Sequence, residues 1–157
     1  MKAVQTSGNR KRAIARATLK PGKGIVMINN LLLDHLQPRL ARMKIMEPLL
    51  IGEKFASKVN ISVKIHGGGQ ISQAEAARLA IAKGLVEFSK SDALRTAFLE
   101  YDRHLLIADT RRKEPCKPGD SKARARRQKS YRWTENDDSN QMHVMWKTSC
   151  PVMGIFL

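Results

Sequence analysis

At 157 residues and a formal net charge of +15, from 29 Lys/Arg against 14 Asp/Glu, the chain has room for one domain with its own core and needs a polyanionic partner. It shows no apolar run of membrane-helix length, no Lys-rich amphipathic helix with bulky aromatics and no signal-peptide pattern after Met1-Lys2. Its two cysteines, Cys116 and Cys150, make no metal or redox spacing and read as free thiols.

In chain order, residues 3–19 read as a strand interrupted by the basic turn Gly8-Asn9-Arg10-Lys11-Arg12. Arg10, Lys11, Arg12 and Arg16 would then reach phosphates from one edge of a sheet, a solvated edge strand protected by its charge being the alternative. Pro21-Gly22-Lys23-Gly24 is a turn, and Ile25 to Ile28 is a short buried strand ended by Asn29-Asn30. From Pro38 a helical period places Leu40, Met43, Met46 and Leu50 on one face, with its methionines as core filler. Pro48 should kink or restart that helix and Gly52 should stop it.

The clearest strand follows. Val59, Ile61, Val63 and Ile65 alternate with Asn60, Ser62 and Lys64, so one face is buried and one wet. It leads through His66-Gly67-Gly68-Gly69-Gln70 into a long helix from about Ser72 to Phe88. There Ala77, Ile81, Leu85 and Phe88 recur at helical spacing, while Ala74, Ala76, Ala80 and Ala82 allow close approach to the sheet. Ser91-Asp92 caps a further helix, Ala93 to Tyr101, before the apolar piece Leu105-Leu106-Ile107.

The three glycines between strand and helix lack both the Walker Gly-Lys-Ser/Thr and the Gly-x-Gly-x-x-Gly fingerprint. They suit a tight turn or a backbone contact to an RNA phosphate. His66-Gly67-Gly68-Gly69 has no matching Gly-x-Ser-x-Gly nucleophile elbow. His35, His66, His104 and His143 stand apart from one another without metal-ligand spacing, and no acid pair is set for proton transfer. No active site, metal site or cofactor site emerges.

From Arg111 to Arg132 ten Lys/Arg face two acids, Glu114 and Asp120, a net charge of +8 with one aromatic and no apolar residue larger than Ala. Such a segment cannot bury enough apolar surface to offset its ordering entropy. Nucleic acid relieves its self-repulsion and releases counterions on binding.

Together these stretches resemble the ninth small-subunit ribosomal protein family. The resemblance is carried by Gly8 to Arg16, by Gly67-Gly68-Gly69-Gln70-x-x-Gln73-Ala74-x-Ala76 running on to Ala80-Ile81-Ala82-x-x-Leu85, and by Asp109-Thr110-Arg111-Arg112-x-Glu114-Pro115. The ending Lys129-Ser130-Tyr131-Arg132 is similar to the archaeal and eukaryotic form. The similarity runs from residue 3 to 132, and Cys116 stands where a Lys is usual.

The resemblance implies an α+β domain of the ribosomal S-five domain-two type, a small mixed sheet packed by helices, over residues 1–108. A basic arm would follow at 109–132. It implies a cytoplasmic, non-enzymatic component of the ribosome, in the head of the small subunit beside neighbouring head proteins, on rRNA. The implied rRNA contacts are Arg10, Lys11, Arg12, Arg16, Gly67, Gly68, Gly69, Gln70, Arg111, Arg112, Lys113, Lys117, Lys122, Arg124, Arg126 and Arg127. Lys129, Ser130, Tyr131 and Arg132 would approach the anticodon stem-loop of P-site tRNA. The fold is shared with some ATP-dependent small-molecule kinases, whose Ser-rich glycine loop is absent here. A free-standing nucleic-acid chaperone is the other alternative, set apart by a location outside ribosomes.

Residues 133–157 break the pattern. They carry Glu135, Asp137 and Asp138 against Lys147, and acids beside a tRNA-contacting tip weaken its attraction to phosphate. Read one base forward, Met142-His143 must encode Cys, Met145-Trp146 must encode Cys, and Trp146-Lys147 must encode Gly. The result is a zinc-knuckle spacing similar to the start of subunit N of archaeal RNA polymerase. The tail is therefore expected to be out-of-frame read-through of the next gene, from a frameshift or assembly error; a genuine lineage-specific extension docking on a partner is the alternative.

Overall fold

The computed structural model describes residues 3–116 and Ala123. Strands β1 (Val4–Arg10), β2 (Ala13–Pro21), β3 (Val26–Ile28), β4 (Leu31–Leu32) and β5 (Val59–His66) form one sheet in the order β1-β2-β5-β3-β4. All neighbours are antiparallel except β3 and β5, which run parallel. The helices are α1 (Arg39–Ile51), the short α2 (Glu53–Ala56), α3 (Gln70–Ser89) and α4 (Asp92–Tyr101). This is the expected mixed α+β architecture.

Period-two alternation explains the sheet. Ala13, Ala15, Ala17 and Leu19 of β2 and Val59, Ile61, Val63 and Ile65 of β5 are all buried on one face. Small side chains on β2 let α3 lie close, and its own Ala74, Ala77, Ala80 and Ile81 are buried against them. Gly8 of β1 lets backbone approach backbone: a Cβ there would sit 2.3 Å from the Ala76 carbonyl oxygen. Beside it, buried Thr6 donates its hydroxyl to the Ala80 carbonyl at 2.7 Å, satisfying a polar group inside the core. Phe98 of α4 and Leu105 close the core at the far side of α3.

Several expectations change. The basic turn does not interrupt a strand so much as close a two-residue hairpin, with Arg10 opposite Ala13 and Lys11 at a φ of 54°. The strand at 25–28 is shorter, with Ile25 and Met27 exposed, and β4 pairs beyond it. Asn29 ends β3 by turning its side chain onto β5, where its Oδ1 accepts from the Ile65 N–H at 2.8 Å. Ser91 holds the N-cap position of α4 without a side-chain cap bond.

The largest correction concerns α1. Leu40, Met43 and Leu50 face outward, Leu40 at 66% exposure, and Met46 is half-buried. The buried stripe is Ala41, Ile45 and Pro48. Both stripes are apolar at helical spacing, and packing against α3 buries the one that carries Ala41, Ile45 and Pro48. The helix runs on through buried Pro48 to Ile51, and the restart comes only after Gly52.

Candidate nucleic-acid interface

Three separated sequence motifs meet at the hairpin end of the sheet. The β1–β2 turn carries Lys11 and Arg12, both exposed. Because β2 pairs with β5 up to Ile14 opposite His66, the glycine loop leaves β5 directly against that turn. Gly67 and Gly68 have φ values of 69° and 72°, a region that only glycine enters without strain. A Cβ on Gly67 would lie 2.7 Å from the Arg12 carbonyl oxygen, and one on Gly68 would lie 2.8 Å from the Ala13 Cβ. The glycines are therefore demanded twice, by conformation and by contact. Gln73 steadies the loop by donating its side-chain amide to the Gly67 carbonyl at 3.1 Å.

Gly69 is the N-cap of α3, without a side-chain cap bond, and Gln70 is its first residue; both are exposed. The free N–H groups of the first turn and the two cations of the hairpin thus share one end of the fold.

The third motif is fastened to the same end. Arg10 pairs with Asp109, and its Nε donates to Glu75 Oε2 of α3 at 2.8 Å. Lys44 of α1 donates to the other Glu75 oxygen at 2.7 Å. Asp109 in turn accepts from the Arg111 backbone N–H at 2.9 Å and from its guanidinium at 2.7 Å. The Arg111 hydrogen bonds, side chain then backbone, hold the Asp109 carboxyl well below the usual carboxylate range, and Arg10 adds to this; the same bond raises Arg111. Burial pushes Glu75 up, but hydrogen bonds from Lys44 and Arg10 outweigh it and the carboxyl stays below its ordinary value.

A neighbouring cleft of about 170 Å³ lies between this cluster and Arg78. Arg78 Nη2 approaches Glu47 at 2.6 Å and Asp102 at 2.9 Å, the Glu47 contact being an ion pair without hydrogen-bond geometry; Arg78 Nε has no hydrogen-bond partner. Cations and acids balance there, so it is a structural ion cluster. Among the described residues no group of three His, Cys, Asp or Glu is placed to hold a metal ion, and no helix is long and apolar enough to cross a membrane.

The expected contact residues thus divide. Lys11, Arg12, Gly67, Gly68, Gly69 and Gln70 are brought together and exposed, and Arg112 and Lys113 are exposed at the start of the arm. Arg111 folds back onto Asp109 yet keeps its side chain 81% exposed. Arg10 is committed to Glu75 and Asp109, with 20% of its side chain exposed. Arg16 sits on the open face of an interior strand, not at the sheet's edge. Lys117, Lys122, Arg124, Arg126, Arg127, Lys129, Ser130, Tyr131 and Arg132 lie outside the described residues. Sequence reading missed the anchoring acids Glu75 and Asp109; the signal was an acid opening an otherwise basic arm.

The sequence model of the family described as Ribosomal protein S9/S16 matches residues 8–132. The small ribosomal subunit protein uS9 of Desulfurococcus amylolyticus is 55% identical over 132 residues, 84% of this chain and 94% of the relative. That of Methanothrix thermoacetophila is 50% identical over 132 residues, 84% of this chain and 100% of the relative. With the β1–β2 turn, the glycine loop and the Asp109 motif all inside the matched span, the chain belongs to the Ribosomal protein S9/S16 family.

Proposed function

We propose that the chain is a structural, non-enzymatic component of the small ribosomal subunit in the cytoplasm. It binds rRNA through the hairpin, the glycine loop and the base of the arm. The observation that carries this reading is the meeting of Lys11, Arg12, Gly67–Gly69 and the Arg111–Lys113 run at one end of a rigid domain. A folded end presents fixed donors to phosphate, and the ten cations of the arm neutralise further phosphates and release their counterions. In this reading residues 1–108 are the rRNA-binding domain of the subunit head, beside neighbouring head proteins. Residues 109–132 are the arm, and its end at Lys129–Arg132 approaches the anticodon stem-loop of P-site tRNA.

Residues 133–157 are proposed to be out-of-frame read-through. The family match ends at Arg132, and the Methanothrix relative is covered over its whole length without them. An intact-mass spectrum of proteins from salt-washed small subunits of the source cells tests both proposals. A species ending at Arg132 is expected. A species ending at Leu157 makes the tail real, and absence of the chain from the subunits removes the ribosomal reading.

A further inference from the structure

The helices cover one face of the sheet and leave the other open. On that face Ser7 of β1, Arg16 of β2 and Lys64 of β5 stand in line across three strands, Arg16 directly opposite both Ser7 and Lys64. Like charges opposite one another on paired strands destabilise a sheet. Arg16 and Lys64 are both exposed, and neither has a carboxylate partner among the described residues. None of the five strands contains an Asp or Glu at all. The fold thus keeps an uncompensated repulsive pair in the middle of a face without acids, in a molecule that has acids elsewhere to neutralise Arg10, Lys44 and Arg78.

We propose that this open face docks the backbone of double-helical RNA, with a phosphate seated between Arg16 and Lys64. The inference rests on the RNA-binding reading above and adds a second surface to it. One phosphate turns the repulsion into two attractions and releases counterions. The neighbouring rows fit a sugar–phosphate backbone as well: Thr18 pairs with Ser62, supplying hydroxyls, and Lys20 adds a further cation opposite Asn60, whose side chain holds the turn at Lys23 and Ile25. Lys20 is four residues from Arg16, about 13 Å along the strand at roughly 3.3 Å per residue. No strand carries a Phe, Tyr or Trp, and the one ring on the face is His66 at the end of β5, so the face offers no row of aromatics on which successive splayed bases could stack. Hydroxyls and cations, with a single imidazole at the margin, suit the phosphates and 2′-hydroxyls of a duplex minor groove.

The test uses the full chain and a transcript of small-subunit rRNA. Arg16→Gln/Lys64→Gln should lower the salt dependence of binding by about one log–log unit. Arg16→Glu places an acid opposite Lys64, so the free protein should melt at the same or a higher temperature while RNA affinity falls. A photo-crosslinker in place of Ser62, in reconstituted subunits, should join to helical rRNA. Crosslinks to a protein or only to single-stranded nucleotides, or a double variant that binds like the unaltered chain, overturn the proposal. If Lys11→Gln/Arg12→Gln weakens binding in that last case, the RNA-binding reading survives without this face. If the unaltered chain fails to bind the transcript, both fall.

Discussion

Asp109 is where the basic arm is fastened. Its side chain is 11% exposed and accepts from Arg10 and Arg111 together, beside the hairpin. Its depressed pKa sets the pH sign: the fastening is complete above the ordinary carboxylate value, about 4, and is lost as pH falls below it toward the folded-state value. A carboxyl NMR titration should place the Asp109 midpoint well below 4, and an ordinary midpoint would sink the fastening. Asp109→Asn should leave the melting temperature nearly unchanged but speed amide exchange at Arg111, whose N–H it receives. Gly8 is the opposite kind of residue, silent in chemistry and strict in space. Gly8→Ala drives a methyl into the backbone of α3 and should cost about 2–3 kcal/mol in chemical denaturation.

The α1 helix shows how tertiary packing chooses between equivalent stripes. Ile45 is 1% exposed and Leu40 is 66% exposed, although each lies on an apolar helical period. Ile45→Ala should therefore lose about 2–5 kcal/mol, whereas Leu40→Ala should stay within roughly 0.5 kcal/mol. Equal losses in urea unfolding would reverse the assigned face. The α3 helix was far easier to read, because a twenty-residue element with alanines at Ala74, Ala76, Ala80 and Ala82 has one way to approach a sheet closely. On β5 the alternation alone separated buried Val59, Ile61, Val63 and Ile65 from the exposed side, since a strand has only two faces.

For the whole molecule, charge and architecture cooperate. Acids gather where they tie elements together, at Glu47, Glu75, Asp102 and Asp109, while the strands carry none. At the hairpin end the acids Glu75 and Asp109 are taken up by Arg10, Lys44 and Arg111, which leaves Lys11 and Arg12 exposed for phosphate. Removing residues 129–132 should spare folding and subunit incorporation but weaken P-site tRNA retention, measured by filter binding on purified subunits. Unchanged tRNA affinity would count against the assigned tip.

Read alone, the chain already determined a basic α+β domain, its central strand, its long helix, the glycine turn and a polyanionic partner. Each follows from local period, turn chemistry or net charge, which need no knowledge of distant neighbours. Only the tertiary structure decided which stripe of α1 is buried, that Arg10 serves Glu75 and Asp109, and that Arg16 faces Lys64. Those outcomes depend on contacts between residues 31 to 99 positions apart, and no local pattern encodes the register that brings such residues together.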